Sequence, residues 1–273
     1  MVCREMNHKT VTPEQTGKTR ERIKQFNLPP QRLDPKRLFD TVVSIAVLVL
    51  LLPLLLFIAF AVRVTSAGPV FFTGVRIGRG AKPFRMLKFR SMVKNAEKFG
   101  YSVTAGDDPR ITRIGRLLRR TKLDELPALV NVLKGDMSLV GPRPETPPWI
   151  HLYTPEERRV LSVRPGITSL ASIQYRHEEK LLAGKEIKEA YPPVMRDKLR
   201  IELDYLRRRS FFSDLKVLAM TFMAIFQKHA SAETPGITIS GRPRGKSFRQ
   251  SRRQDSQRVK NGHTLFASQH QRR

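Results

Sequence analysis

Between Asp40 and Arg63 the chain reads TVVSIAVLVLLLPLLLFIAFAV, 22 residues from Thr41 to Val62 without a charge. No other stretch restricts the fold so strongly. As a straight helix rising about 1.5 Å per residue it would reach about 33 Å, enough to cross a hydrocarbon core of about 30 Å. A secretory signal fits poorly, because the apolar core of such a signal is only roughly 7–15 residues and this run begins well inside the chain.

Two features argue against a plain crossing. Pro53, near the centre, removes a backbone donor and crowds the preceding turn, so a kink is expected there. Basic residues stand on both flanks, Lys36 and Arg37 before the segment and Arg63, Arg76 and Arg79 after it. The positive-inside rule then assigns both ends to the cytoplasm. A helix that enters, bends at Leu52-Pro53 and returns satisfies both signals, whereas a crossing helix that tolerates its proline remains the alternative.

Of the 273 residues, 51 are Lys or Arg and 24 are Asp or Glu, a net charge of +27. An anionic partner follows: nucleic acid, an anionic lipid surface or phosphorylated substrates. The charge is densest in residues 228–273, which carry +9, against +5 in residues 1–37 and +13 in residues 38–227. The single cysteine, Cys3, excludes an intramolecular disulfide and a Cys-based zinc site, so a reducing, cytoplasmic setting is expected.

Residues 1–35 read as a mobile basic arm, 36–63 as the membrane helix, 64–227 as one folded domain and 228–273 as a disordered basic tail. Within the domain, Pro69–Phe72 and Phe84–Phe89 read as extended pieces around a turn at Gly74, Gly78 and Gly80. Asp107-Asp108-Pro109 reads as a turn before a helical spacing of Ile111, Ile114, Leu117 and Leu118. Leu126, Leu129, Val130 and Leu133 form one helical stripe that ends at Gly135. Arg196–Arg209 is a charged helix, and Leu215–Phe226, after a Ser213-Asp214 start, is an apolar helix too short to span a bilayer. It belongs in the core or in the membrane interface.

Asp124 and Glu125 stand at the start of the Leu126–Lys134 stripe, because Pro127 is tolerated only in a first turn. Adjacent helical residues diverge by about 100°, so the two cannot face each other across a scissile bond. They can reach one ligand from different sides. The helix start and nearby arginines favour ionised Asp124, a potential nucleophile or metal ligand rather than an acid. A purely local reading competes: Thr121-x-x-Asp124 resembles a capping box, and acidic residues in a first turn are ordinary helix electrostatics. Downstream, Gly141-Pro142-Arg143-Pro144 holds one arginine between two prolines, a stiff mount for a bidentate grip on phosphate.

The pieces KRLFD (36–40), GPVFF (68–72), KPFRMLKFRSM (82–92), DPRITRIGRLLRRTKLDELPALVNVLKGDMSLVGPRP (108–144), RPGIT (164–168) and SFFSDLKVL (210–218) together resemble the bacterial sugar transferases. These are the monotopic phosphoglycosyl transferases that start glycan assembly on undecaprenyl phosphate. The resemblance spans most of residues 36–227 and is of the small, single-domain form. It implies an α+β, mainly helical fold, with a re-entrant, Pro-broken membrane helix and a cytoplasmic catalytic domain carrying interfacial helices, at the cytoplasmic face of the bacterial inner membrane.

The resemblance also implies the chemistry. Asp124 would attack the sugar-bearing phosphate of a UDP-sugar, UMP would leave, and polyprenyl phosphate would take the sugar phosphate from the aspartyl intermediate. Glu125 is similar to the family's Mg²⁺ ligand. Lys88, Arg90, Arg119, Arg143, Arg176 and Asp204 fall where the family places other active-site residues, to neutralise a diphosphate and the incoming lipid phosphate. Membrane lipid is an implied partner, downstream glycosyltransferases and a second copy are further possible partners, and nucleic acid is not implied. Gly74 in place of a frequent Gln, and Ser169-Leu170 in place of Gly-Trp, depart from the family pattern and leave the sugar open. A membrane-tethered nucleic-acid binder is the competing reading of the charge, but the chain lacks the aromatic interleaving that stacks bases, with one Trp and no recognisable binding motif. A non-enzymatic scaffold whose tail binds anionic lipid would leave Asp124 without a task beyond its helix.

Overall fold

The computed structural model describes residues 34–96 and 108–226, without the side chains of residues 225 and 226. The basic arm, the tail and Asp107 of the expected turn therefore lie outside the described residues, save Asp34 and Pro35. The rest is mainly helical with two small sheets, in keeping with the α+β expectation.

The apolar run forms two helices, α1 (Pro35–Leu50) and α2 (Leu52–Thr65), bent by 64° at Leu51. Pro53 sits in the first turn of α2, where its missing N–H costs least. No single helix among the described residues is long and apolar enough to cross a membrane. The outer sides of both helices expose Val42, Ile45, Val49, Leu56, Phe57 and Phe60. The inner side buries Asp40, Ser44, Ile58 and Val62.

Strands β1 (Phe71–Ile77) and β2 (Pro83–Phe89) pair antiparallel, with Phe72 opposite Lys88 and Arg76 opposite Phe84. Gly74 lies inside β1; the turn is made by Gly78–Lys82, with Gly80 left-handed at φ 64°. Helix α3 (Arg113–Thr121) starts two residues later than its apolar spacing, because the Thr112 side chain caps it by accepting from the Gly115 amide. Lys122 then turns left-handed and ends it.

The expected helix over Leu126–Lys134 is split. A 3₁₀ segment (Leu123–Ala128) contains Pro127, and only α4 (Leu129–Lys134) is α-helical, closed by left-handed Gly135. The tighter winding follows from Pro127, whose absent donor withholds one i→i−4 bond. Asn131 ties α4 to the first sheet: its Oδ1 accepts from the Leu87 amide at 2.9 Å and its Nδ2 donates to the Arg85 carbonyl at 2.8 Å. One buried amide thereby fixes the acidic segment against β2.

Strands β3 (Ser138–Val140) and β4 (Gly166–Thr168) pair in parallel. Between them stands the short helix α5 (Pro147–Ile150), and after them α6 (Leu170–Gln174) and α7 (Glu178–Leu182). Helix α8 (Ile187–Arg207) starts nine residues before the expected charged stretch and carries Pro192 and Pro193 inside it. Those prolines hide its beginning in the sequence, while Tyr191, Met195 and Leu199 pack it into a core with Trp149, Ile150 and Leu182. Helix α9 (Phe211–Phe226) is capped by Ser210 and Ser213, whose hydroxyls each accept from the other's amide. Asp214, expected as part of its start signal, is instead buried and paired with Lys36 and Tyr205.

Candidate active site

Strand β2 and the 3₁₀ segment face each other so that Lys88, Asp124 and Glu125 converge, and the loop after β3 brings Arg143 to the same place. Lys88 Nζ donates to Glu125 Oε1 at 2.6 Å. Arg143 grips the same carboxylate with both arms, Nη2 to Oε1 at 2.5 Å and Nη1 to Oε2 at 3.1 Å. Asp124 is also buried, but its Oδ1 has no hydrogen-bond partner among the described residues.

The loop that carries Arg143 is held by its neighbours. The Gly141 amide donates to the Thr168 carbonyl at 3.1 Å and the Gly166 amide to the Pro142 carbonyl at 2.9 Å. A Cβ on Gly141 would lie 2.5 Å from the Arg164 carbonyl oxygen, so the approach of the two segments requires glycine.

The two carboxylates are electrostatically unlike. Burial opposes ionisation of Glu125, yet Arg143 and Lys88 outweigh it and hold the carboxyl well below its usual range. Burial pushes the Asp124 carboxyl up, against the pull of Lys88, and neighbouring Glu125 pushes it the same way. This opposes the expectation that a helix start and arginines set its state: the 3₁₀ geometry leaves one oxygen desolvated and unbonded. Burial likewise lowers Lys88, while Glu125 raises Arg143. Thr121 is no capping partner of Asp124, since its hydroxyl donates to the carbonyls of Leu117 and Leu118.

Of the other expected residues, Arg119 stands beside the pair. Its Nε donates to Ser91 Oγ at 2.9 Å, and its charge reaches Asp124 together with that of Lys122. Arg90 lies elsewhere. Strand β2 ends at Phe89, and the buried guanidinium turns to the end of α2, where it donates to the Ser66 carbonyl and hydroxyl, each at 2.6 Å. Arg176 closes the last turn of α9 by donating to the Ala224 carbonyl at 2.8 Å. Asp204 is exposed and pairs with Arg207 one turn along α8.

Two residues passed over in the sequence belong to the neighbourhood. Arg76, read there as a membrane flank, lies in β1 within electrostatic reach of Glu145, Arg143 and Glu125, and burial lowers its pKa. Its place on a strand paired with β2 was the available signal. Glu202, two residues before Asp204 and so on nearly the opposite side of α8, is buried and accepts from the Arg143 amide at 3.4 Å.

Among the described residues no group of three or more His, Cys, Asp or Glu is placed to hold a metal ion. Asp124 and Glu125 form a two-carboxylate donor set. That suits Mg²⁺, which is commonly held by one or two carboxylates with phosphate oxygens and water completing the shell. The unbonded Asp124 oxygen is a hard donor of the right kind; both Glu125 oxygens are engaged by Lys88 and Arg143.

Comparison with known proteins identifies a family. The family model described as bacterial sugar transferase matches residues 31–228. An uncharacterized sugar transferase, EpsL, of Bacillus subtilis is 37% identical over 203 residues, covering 74% of this chain and 93% of that protein. A UDP-glucose:undecaprenyl-phosphate glucose-1-phosphate transferase of Caulobacter vibrioides is 38% identical over 189 residues, 68% of this chain and 67% of that one. A protein of the same description from Escherichia coli is 37% identical over 205 residues, but these make up only 41% of its length.

Proposed function

The chain belongs to the bacterial sugar transferase family and is a phosphoglycosyl transferase, and on that premise we propose a two-step transfer of sugar 1-phosphate from a UDP-sugar to undecaprenyl phosphate through Asp124. The observation that carries the route is the inequality of the adjacent carboxylates: Glu125 is clamped by Lys88 and Arg143, while Asp124 keeps an oxygen without a partner. Relatives named as UDP-glucose:undecaprenyl-phosphate glucose-1-phosphate transferases supply the substrate classes.

In the first step an Asp124 carboxylate oxygen attacks the phosphorus that bears the sugar. The bond from that phosphorus to the bridging oxygen breaks, and UMP leaves with the electron pair. In the second, a phosphate oxygen of the lipid attacks the same phosphorus, giving polyprenyl-diphospho-sugar and restoring the Asp124 carboxylate. Lys88, Arg143, Arg119 and Arg76 surround the place where charge moves between these oxygens, and fixed cations of this kind lower such barriers. Desolvation of Asp124 leaves it a more basic nucleophile than an exposed carboxylate. Glu125 would hold Mg²⁺ once the donor's diphosphate draws Lys88 and Arg143 away from it, and the ion would supply charge neutralisation for the departing phosphate.

The bent helix pair is read as a re-entrant membrane anchor on the cytoplasmic face of the inner membrane. Support comes from its two ends, both fastened to the catalytic body. Arg37 in the first turn of α1 donates to the Val132 and Leu133 carbonyls at the end of α4, and Ser66 after α2 receives Arg90. An element anchored at both ends to one body enters and leaves the bilayer from one side. The reaction would be the first membrane step of an extracellular polysaccharide or other glycan pathway.

Incubation with labelled UDP-sugar and Mg²⁺, without lipid acceptor, should release UMP and leave the label on Asp124. Product formed only by direct displacement, with no protein adduct under any quench, would refute the covalent route.

A further inference from the structure

Helix α8 buries one carboxyl that none of the steps above uses. Glu202 is 3% exposed. Its Oε1 accepts from the Arg143 backbone amide at 3.4 Å, and Oε2 is buried without a hydrogen-bond partner among the described residues. Burial raises its pKa to about 7, against the pull of Ser169, the Arg143 amide, Lys198 and the Arg143 charge. Tyr153 and Tyr205 are the other titratable groups within electrostatic reach. Without a task, a half-satisfied buried carboxyl is a net cost to the fold.

Its task follows from the chemistry of the loop it touches. In Gly141-Pro142-Arg143-Pro144 both prolines lack an N–H, and the Gly141 amide is already given to Thr168. The Arg143 amide is the one remaining backbone donor of the turn, and Glu202 accepts it. The side chain of the same residue reaches to the opposite side, to Glu125. Arg143 is thus held at its main chain by one carboxyl and at its guanidinium by another, and only the second hold must yield when a diphosphate arrives.

We propose that Glu202 is a positioning residue: by holding the main chain of Arg143, it keeps the guanidinium aimed at the diphosphate of the nucleotide-sugar donor while Glu125 exchanges for phosphate oxygens. The inference rests on the reading that Arg143 grips that diphosphate. A bidentate grip has little tolerance for rotation of its mount, so loss of the hold acts on the donor and not on the lipid acceptor.

The test uses the full chain in detergent or nanodiscs, with UDP-glucose, or whichever UDP-sugar of a panel is turned over fastest, and polyprenyl phosphate. Glu202→Gln keeps length and an acceptor oxygen; Glu202→Met keeps length and removes the acceptor. Glu202→Met is expected to lower kcat/KM for the donor about tenfold, chiefly through KM, with the KM for polyprenyl phosphate moved less than about twofold. Glu202→Gln should stay within about threefold of the parent. In an Arg143→Lys background, Glu202→Met should add less than about twofold, because the grip it orients is already gone. If Glu202→Gln falls as far as Glu202→Met, if the loss is equally large in the Arg143→Lys background, or if it falls on the acceptor KM instead, the inference is overturned alone. A parent chain that releases no UMP from any UDP-sugar overturns it together with the functional reading.

Discussion

Two buried charged clusters among the described residues are built for opposite ends. At the root of α1, Lys36 pairs with Asp214 and lies 3.9 Å from Asp40; Asp214 accepts from Tyr205, and Asp40 accepts from Ser138 at 2.7 Å. One cation serves two acids there; hydroxyls reach one oxygen of each, and Asp40 Oδ1, like Asp124 Oδ1, has no hydrogen-bond partner among the described residues. In the candidate catalytic cluster Lys88 and Arg143 share Glu125, Arg119 and Lys122 add positive charge around Asp124, and Arg76 lies within reach of Glu125 and Glu145. The first cluster has no positive charge to offer a ligand and fastens α1 to β3, α8 and α9. The second has a surplus of cations and an unbonded carboxylate oxygen, which is what an incoming diphosphate and a nucleophilic step require. Neither burial of charge nor an unbonded carboxylate oxygen alone therefore marks a site; an unbonded oxygen amid surplus cations does.

Substitutions that keep shape separate the two most sharply. Asp124→Asn is expected to lower UMP release at least about 1,000-fold while leaving the melting temperature equal or higher, since burial already disfavours its charge. A large loss of stability with residual turnover would make Asp124 structural. Lys36→Met should do the reverse. It leaves Asp214 and Asp40 buried without their cation and should cost about 3–5 kcal/mol of stability, read by thermal or denaturant unfolding in detergent, while the folded fraction turns over donor normally. Arg143→Lys lies between. The single ammonium cannot reproduce the two-armed grip, and kcat/KM for the donor should fall about 100-fold with a modest change in stability.

The same contrast explains what could be read in the sequence. The bend was legible because Pro53 falls in a run that is otherwise a perfect span, and the acidic pair because Pro127 forces it into a first turn. The split of the Leu126–Lys134 stripe was not legible, since 3₁₀ and α winding share nearly the same apolar spacing over one turn. Among the residues carried over by resemblance, Lys88 and Arg143 reach Glu125 and Arg119 lies beside Asp124. Arg90, Arg176 and Asp204 face other partners, because one residue beyond a strand end or two along a helix reverses a side chain's direction. Arg76 and Glu202 were missed for the same reason: each depends on a strand pairing or a helix face that only the folded chain defines. KRLFD and SFFSDLKVL, two of the pieces that carry the family resemblance, supply Lys36, Asp40 and Asp214 of the root cluster.

The smallest effect tests Glu202, which is buried with one carboxyl oxygen unpaired, like Asp40 at the root and Asp124 at the site. Its pKa is raised to about 7 from 4.5, so the folded protein binds this proton more tightly than the unfolded chain does. The stability it contributes is full below pH 4.5 and is lost as the pH rises toward about 7, after which the cost is constant. Glu202→Gln cannot ionise. Its advantage over the parent should be near zero at pH 4.5, grow through pH 5–7 and level off by pH 8 at roughly 3 kcal/mol at most, measured as the difference in unfolding free energy. A difference that shrinks over this range would mean that the carboxyl is ionised and well solvated in the fold. Glu202 would then resemble the exposed Asp204 rather than the buried mount of Arg143.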